Sequence, residues 1–275
     1  MLKQYIFSVR APKICVRLLG AIACTKLGFK VLKFLIKHIK VRLRIWDSPY
    51  YIDILDASNF ISIMEIFTRG VYDIFPLKQG WTIVDAGANI GDYVLYANYV
   101  LKERCKILAI EAEPNNYNSL KVNIQKNKIA NTFPLLMAIG DSSGHYRVTS
   151  EGVHSKIEVI KKSTNKLESD TPNTKVLPIE SLSTIVKNFN IENIDLIKID
   201  IEGSEHKLLE GARDLLEARK IVRIIMETHS EQLHSNCENY LISFGYKIAM
   251  SNFSWRYGTG ILAAIANDYI GNQER

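Results

Sequence analysis

Five acidic residues and a histidine stand where short apolar runs end. They are Asp85 in "TIVDAGANIG", Glu111 in "KILAIEAEP", Asp200 and Glu202 in "IDLIKIDIEGSE", and Glu227 with His229 in "IIMETH". After Asp85 come Gly87 and Gly91, spaced D-x-G-x-x-x-G. A glycine lets a backbone approach a ligand with no Cβ in the way, and lets a helix start tight against a strand. The spacing is not the G-x-G-x-x-G of a dinucleotide site. A carboxylate beside the glycines would repel a pyrophosphate but suits a ligand carrying positive charge. Glu111, placed at the end of the next apolar run, can accept hydrogen bonds from both hydroxyls of a ribose. An acid at each of two strand ends, flanking a glycine turn, describes a site for a cationic nucleoside. Asp200, Glu202 and His229 are the candidates to take a proton from a second reactant, a role that typically contributes about 10²- to 10⁴-fold, and His229 is the natural base near neutral pH. Glu205 and His206 fall in the first turn of a helix, where Glu205 favours the helix dipole. Carboxylates such as Asp141, Asp200 and Glu227 suit magnesium, but no spacing fixes such a geometry and no metal is assigned.

These residues need a frame. Seven apolar runs, at 82–87, 106–112, 132–140, 194–200, 221–227, 246–250 and 260–267, read as strands, most of them apolar without alternation. Strands of that kind are buried on both faces, which predicts a mostly parallel α/β sheet with helices on both faces. Helices are expected at about 89–102, 114–127, 180–189, 204–218 and 230–244 from their apolar periodicity. In such a sheet ligands bind beyond the carboxyl ends of the strands, where the acids above fall. The polar stretch 158–175 is expected to be a loop. Upstream, "KVRLRIWDSPYYIDIL" alternates on either side of turn residues and predicts a hairpin. "DASNFISIMEIFTRG" then predicts a helix capped by Asp56 or Ser58 and stopped by Gly70.

Composition bounds the chain. Its 275 residues are 47% hydrophobic and 23% charged, which is ordinary for a globular protein. Four cysteines, Cys15, Cys24, Cys105 and Cys237, are far apart and show neither disulfide nor zinc spacing; a reducing, cytoplasmic setting is expected. Of 35 basic residues, eleven precede Asp47 with no acid among them, which leaves 24 against 29 acidic residues in the remainder. Lys26, Lys30, Lys33, Lys37 and Lys40 share one helix face, opposite Leu32, Leu35, Ile36 and Ile39. Such a basic amphipathic helix can pack on its own domain or touch an anionic membrane surface through residues 1–44. No run approaches the roughly 20 residues needed to span a bilayer. The expected organisation is an arm at 1–45, a hairpin and helix at 46–80 packed on the main domain, and the ligand-binding domain at 81–275.

S-adenosylmethionine is a cationic nucleoside, and the motifs resemble those of the class I methyltransferases, most closely the FkbM family. "VDAGANIGDYVLY" is similar to that family's first motif, "AIEAEPNNYNSLKVNIQKN" to its second and "AIGDSSG" to its third. "IDLIKIDIEGSEHKLLEGA" is similar to its most distinctive block, and "IIMETH" to the acidic end of its fifth strand. The likeness runs over roughly residues 60–250. It implies a Rossmann-like methyltransferase fold. It also implies that Asp85, Gly87 and Gly91 line the methionine end of S-adenosylmethionine with Asn89 at the turn, and that Glu111 holds the ribose. Pro114 and Asn115 would flank the ribose and adenine edge, and Asp141 would accept from the adenine amino group. By the same resemblance the acceptor is a hydroxyl on a sugar, glycan or other small metabolite. A nucleic-acid methyltransferase would use the basic arm, but the Asn/Asp-Pro-Pro-aromatic motif is absent and the rest of the chain is net acidic. A non-catalytic module that binds S-adenosylmethionine would keep the same architecture. A nicotinamide dehydrogenase is disfavoured by the missing third glycine. The sequence does not give the oligomeric state.

Overall fold

In a computed structural model of the chain, the residues described are 7–9, 28, 30, 41–44, 48–54, 56–151, 154–160 and 174–267. Most of the predicted N-terminal helix lies outside them. Strands β1 (Phe7–Val9), β2 (Val41–Arg44) and β3 (Tyr51–Ile54) form a small sheet in the order β1-β2-β3. The predicted hairpin is its antiparallel β2–β3 pair, with Arg42 opposite Asp53. Helix α1 (Ala57–Met64) follows. Asp56 caps it, accepting from the N–H groups of Ser58 and Asn59, while the Asn59 side chain accepts from the Asp56 N–H. The helix widens into a π-turn over Glu65–Arg69 and ends at Gly70, whose φ of 63° is the left-handed value that stops helices.

The main sheet alternates strands with helices: β4 (Thr82–Ala86), α2 (Asp92–Leu101), β5 (Lys106–Glu111), α3 (Pro114–Lys126) and β6 (Thr132–Leu136). After an excursion come α4 (Leu182–Asn188), β11 (Leu196–Ile199), α5 (Glu205–Glu210), α6 (Arg213–Glu217), β12 (Arg223–Thr228), α7 (Glu231–Ser243), β13 (Tyr246–Ser254) and β14 (Thr259–Ala266). Seven strands lie in the order β13-β14-β12-β11-β4-β5-β6. They are the seven that the sequence predicts. Strand β11 is parallel to both β4 and β12, whereas β14 runs antiparallel to β12 and to β13. Ile83 and Val84 on β4, and Leu196 and Ile197 on β11, are all wholly buried although they alternate sides, as strands covered on both faces require. Val84, Ala86, Ile197, Ile199, Ile224 and Met226 share one apolar core with residues of α4 to α7, among them Leu182, Leu208, Leu216 and Leu241.

Two predictions need correcting. The run 132–140 is not one strand. It breaks at Met137, and β7 (Ala138–Gly140) joins a second sheet with β8 (Gly144–Glu151), β9 (His154–Ile160) and β10 (Thr174–Ser181), in the order β7-β10-β8-β9. Of the stretch expected to be a loop, 158–160 and 174–175 are therefore strand, and 161–173 lies outside the described residues. The helix expected at 204–218 is interrupted at Gly211, where a Cβ would stand 2.0 Å from the carbonyl oxygen of Gly140.

The chain divides into two compact units. One comprises residues 1–80, 88–107 and 115–134; the other comprises 81–87, 108–114 and 135–275. In the first, Asp53 accepts from Arg42 and Lys126, and Asn123 bonds both the Asp53 N–H and the Ile90 carbonyl. The second holds the core just described. Among the described residues no helix is long and apolar enough to cross a membrane.

Candidate active site

The chain runs outward from β4 through β5 to β6, then returns to β11 on the other flank of β4. Open α/β sheets bind ligands in the crevice that such a reversal leaves, which falls here at the carboxyl ends of β4 and β11. Asp85 ends β4 inside the sheet, and its cross-strand partner is Lys198 on β11. Side chains directly opposite on one face of a sheet must meet. Here they form an ion pair, Lys198 Nζ to Asp85 Oδ1 at 3.2 Å, with Lys198 3% and Asp85 0% exposed. Lys198 also donates to the Gly87 carbonyl at 2.8 Å and lies 3.7 Å from Asp200 Oδ2. One ammonium thus ties the glycine turn, the end of β4 and the end of β11. The sequence places a carboxylate beside the glycines but not this lysine. The signal was the lone cation in "LIKID", two residues before Asp200 and so on the same face.

Gly87 has a φ of 82°, and a Cβ there would stand 1.8 Å from the Asp200 carbonyl oxygen. Its lack of a side chain is required by the neighbouring strand's backbone. Gly91 has a φ of 92° and precedes α2; a Cβ there would meet Leu120 Cδ1 of α3 at 2.8 Å. Asn89, also left-handed at φ 49°, accepts from Asn59 at 3.2 Å. Asn89, Gly91 and Asn115 belong to the first unit; Asp85, Gly87, Glu111, Pro114, Asp141, Asp200, Glu202 and His229 belong to the second. Glu111, 7% exposed at the end of β5, accepts from the Glu113 N–H at 2.7 Å, which fixes its carboxylate. Pro114 opens α3, and Asn115 is in its first turn. Asp141 follows β7 in the second sheet and accepts from Ser142 at 2.9 Å.

Beyond β11 and β12 the remaining candidates gather. Glu202 has a φ of 53° and Gly203 of 99°, two left-handed residues in succession that turn the chain sharply before α5. His229 Nε2 lies 3.4 Å from Glu202 Oε2 and 3.7 Å from Asp200 Oδ1, and Nδ1 lies 2.9 Å from Glu205 Oε1. Glu205, placed by sequence at the helix dipole, is wholly buried and also accepts from the Gly203 N–H at 3.0 Å. Burial alone would lower the His229 pKa, but the hydrogen bond to Glu205 and the charges of Glu205, Glu202 and Asp200 outweigh it and raise it to about 9. In this arrangement the imidazole is a cation at neutral pH that donates from Nδ1 to Glu205 and turns Nε2 toward Glu202 and Asp200, whereas its sequence context made it the natural base. His206 stands apart, 3.6 Å from Glu210 on its own helix and edge-on to Tyr240.

The strand ends thus gather a glycine turn after β4, an anchored carboxylate at the end of β5 and a charged cluster beyond β11 and β12. Residues 85–248 match the profile of the methyltransferase FkbM domain. The chain belongs to this family of S-adenosylmethionine-dependent methyltransferases. It is 28% identical over 218 residues to methyltransferase sdnD of Sordaria araneosa, covering 70% of this chain and 83% of that protein. It is 26% identical over 191 residues to the 31-O-demethyl-FK506 methyltransferase FkbM of Streptomyces tacrolimicus, covering 60% and 72%. Its fold is similar to that of the methyltransferase FkbM from Methylobacillus flagellatus KT, with a TM-score of 0.54 at 18% identity. That match covers 73% of this chain and 47% of that one, so this chain spans about half the length of that structure.

Proposed function

We propose that this methyltransferase acts on oxygen, moving the methyl group of S-adenosylmethionine to a hydroxyl of a sugar, glycan or other small metabolite. The observation that carries this reading is the crevice at β4 and β11. On its β4–β5 side are Gly87 and the anchored Glu111; on its β11–β12 side are Asp200, Glu202 and His229. The donor set fits S-adenosylmethionine. A carboxylate has room for several hydrogen bonds, so Glu111 can accept from a ribose diol while held by Glu113. Lys198 draws the Gly87 carbonyl toward itself, which turns the N–H of that peptide group the opposite way. Asp85 and Gly87 would take the methionine end, Pro114 the ribose and adenine edge, and Asp141 the adenine amino group.

When bound, S-adenosylmethionine supplies a methyl group on a positively charged sulfur. The chain must then bring a hydroxyl oxygen into line with it, and such positioning is worth up to roughly 7–11 kcal/mol in ideal cases. A carboxylate of Asp200 or Glu202 takes the hydroxyl proton, and His229, held from behind by Glu205, keeps those carboxylates in place. The 31-O-demethyl-FK506 relative carries an oxygen acceptor in its own name, which favours oxygen here.

Calorimetric titration should show S-adenosylmethionine binding to the full chain and strongly weakened binding in Glu111→Ala. Labelled S-adenosylmethionine added to fractionated extract should put label into a small molecule as an ether that survives mild alkali. Label in an alkali-labile ester, in nitrogen or in nucleic acid would refute the oxygen reading. Failure of the folded chain to bind S-adenosylmethionine would remove the site assignment.

A further inference from the structure

Asp200, Glu202 and His229 each offer one ligand atom, and the three atoms lie within 4.8 Å of one another. His229 Nε2 is 3.4 Å from Glu202 Oε2 and 3.7 Å from Asp200 Oδ1. Adjacent ligands of an octahedral ion at about 2.1 Å stand about 3 Å apart. Closing by roughly half an ångström would therefore bring Nε2 to the spacing of neighbouring ligands with each of the two carboxylates.

What sets this cluster apart from an ordinary group of surface acids is the residue behind the imidazole. Glu205 is wholly buried, and its Oε1 faces His229 Nδ1 at 2.9 Å. Metal-binding histidines characteristically give their second nitrogen to a carboxylate in this way, which fixes the ring and strengthens it as a ligand. Glu205 Oε2 is also buried and has no hydrogen-bond partner among the described residues, so the carboxyl group behind the ring is shut away from water. Asp200 is divided similarly. Its Oδ2 faces Lys198, and its Oδ1 faces His229. Around the crevice, Asp85 and Asp200 face Lys198, while Asp200, Glu202 and Glu205 face His229.

We infer that Asp200, Glu202 and His229 form a binding site for a divalent cation of the magnesium or manganese class, with Glu205 as the positioning residue. The two carboxylates are the oxygen ligands such ions prefer, the imidazole is a single nitrogen ligand beside them, and coordination positions are left open. The cation takes the place of a proton on Nε2. Its role, which rests on the oxygen reading above, is to take the acceptor hydroxyl in an open position and make its proton easier to lose. With the ion bound, Asp200 and Glu202 serve as its ligands, and the proton passes to water instead of to either carboxylate. The oxygen forms its bond to the methyl carbon as the carbon–sulfur bond breaks, and that electron pair stays on sulfur as a neutral thioether.

The test uses the full chain freed of metal with EDTA and titrated with Mn²⁺, following free Mn²⁺ by electron paramagnetic resonance. One Mn²⁺ per chain is expected. Asp200→Asn and His229→Gln should each weaken it more than tenfold, and Glu205→Gln, one shell out, by about 10- to 100-fold. Glu202 is 87% exposed, so Glu202→Gln tests the site without endangering the fold, and Glu210→Gln should leave binding unchanged. Absence of a stoichiometric site, or a site indifferent to Glu202→Gln and Asp200→Asn, overturns the inference. Calorimetry with S-adenosylmethionine and transfer of labelled methyl in EDTA separate the two readings. Full transfer without metal rejects the cation and leaves the oxygen reading standing.

Discussion

Lys198 carries more of the site than any residue the sequence singled out. Its ammonium meets Asp85, Asp200 and the Gly87 carbonyl while almost wholly buried. Removing one partner of a buried pair leaves an uncompensated charge, at a cost of about 3–5 kcal/mol. Lys198→Met should therefore lower stability by about that much in urea unfolding and weaken S-adenosylmethionine binding, whereas Lys198→Met with Asp85→Leu should recover stability without recovering binding. The acids at strand ends were legible because strand ends are where α/β sheets bind ligands. Lys198 and Glu205 were not, because a charge in an apolar run and an acid at a helix start each have an ordinary explanation, and burial is a property of the packed chain. Cys237 shows the same limit: nothing in its sequence context marks it, yet burial pushes its thiol up to about 12, so thiol reagents should leave it unmodified until the protein unfolds.

At the scale of elements, the seven strands were readable because each is a short apolar run bounded by polar turns. The second sheet was missed because "TFPLLMAIG" gives no sign that β6 and β7 part at Met137. A signal did exist in β8, where Tyr146 and Val148 are buried and alternate with more exposed neighbours, the period-2 pattern of a half-covered strand. The broken helix at Gly211 has a similar cause. The helical periodicity continues through it, but the carbonyl of Gly140 passes too close for any side chain. Gly211→Ala should cost about 1–3 kcal/mol as overpacking against backbone, measured by thermal or urea unfolding.

For the whole molecule, charge sets the response to pH and to surfaces. Burial alone would raise the pKa of Asp53, but Arg42 and Lys126 outweigh it and hold the carboxyl below its ordinary value. A group depressed on folding stabilises the folded state above its unfolded pKa and loses that contribution as pH falls through the folded one. Asp53→Asn should therefore be less stable than the parent at pH 7, and the gap should close in acid below the ordinary carboxylate range, as followed by denaturation at each pH. The eleven basic residues before Asp47 predict that the full chain co-sediments with anionic vesicles at low salt, and that a chain beginning at residue 40 does so far less. The reversal of β14 has a consequence of another kind. Thr228, at the carboxyl end of β12, sits opposite Gly260, so the turn from β13 into β14 emerges at the same edge as Asp200 and His229. It displays Trp255 and Tyr257, 74% and 73% exposed. Had the last strand been parallel, that turn would lie at the far edge. As built, a change at Trp255 or Tyr257 alters what a visiting molecule meets at the edge of the charged cluster while every rung of the ladder stays in place.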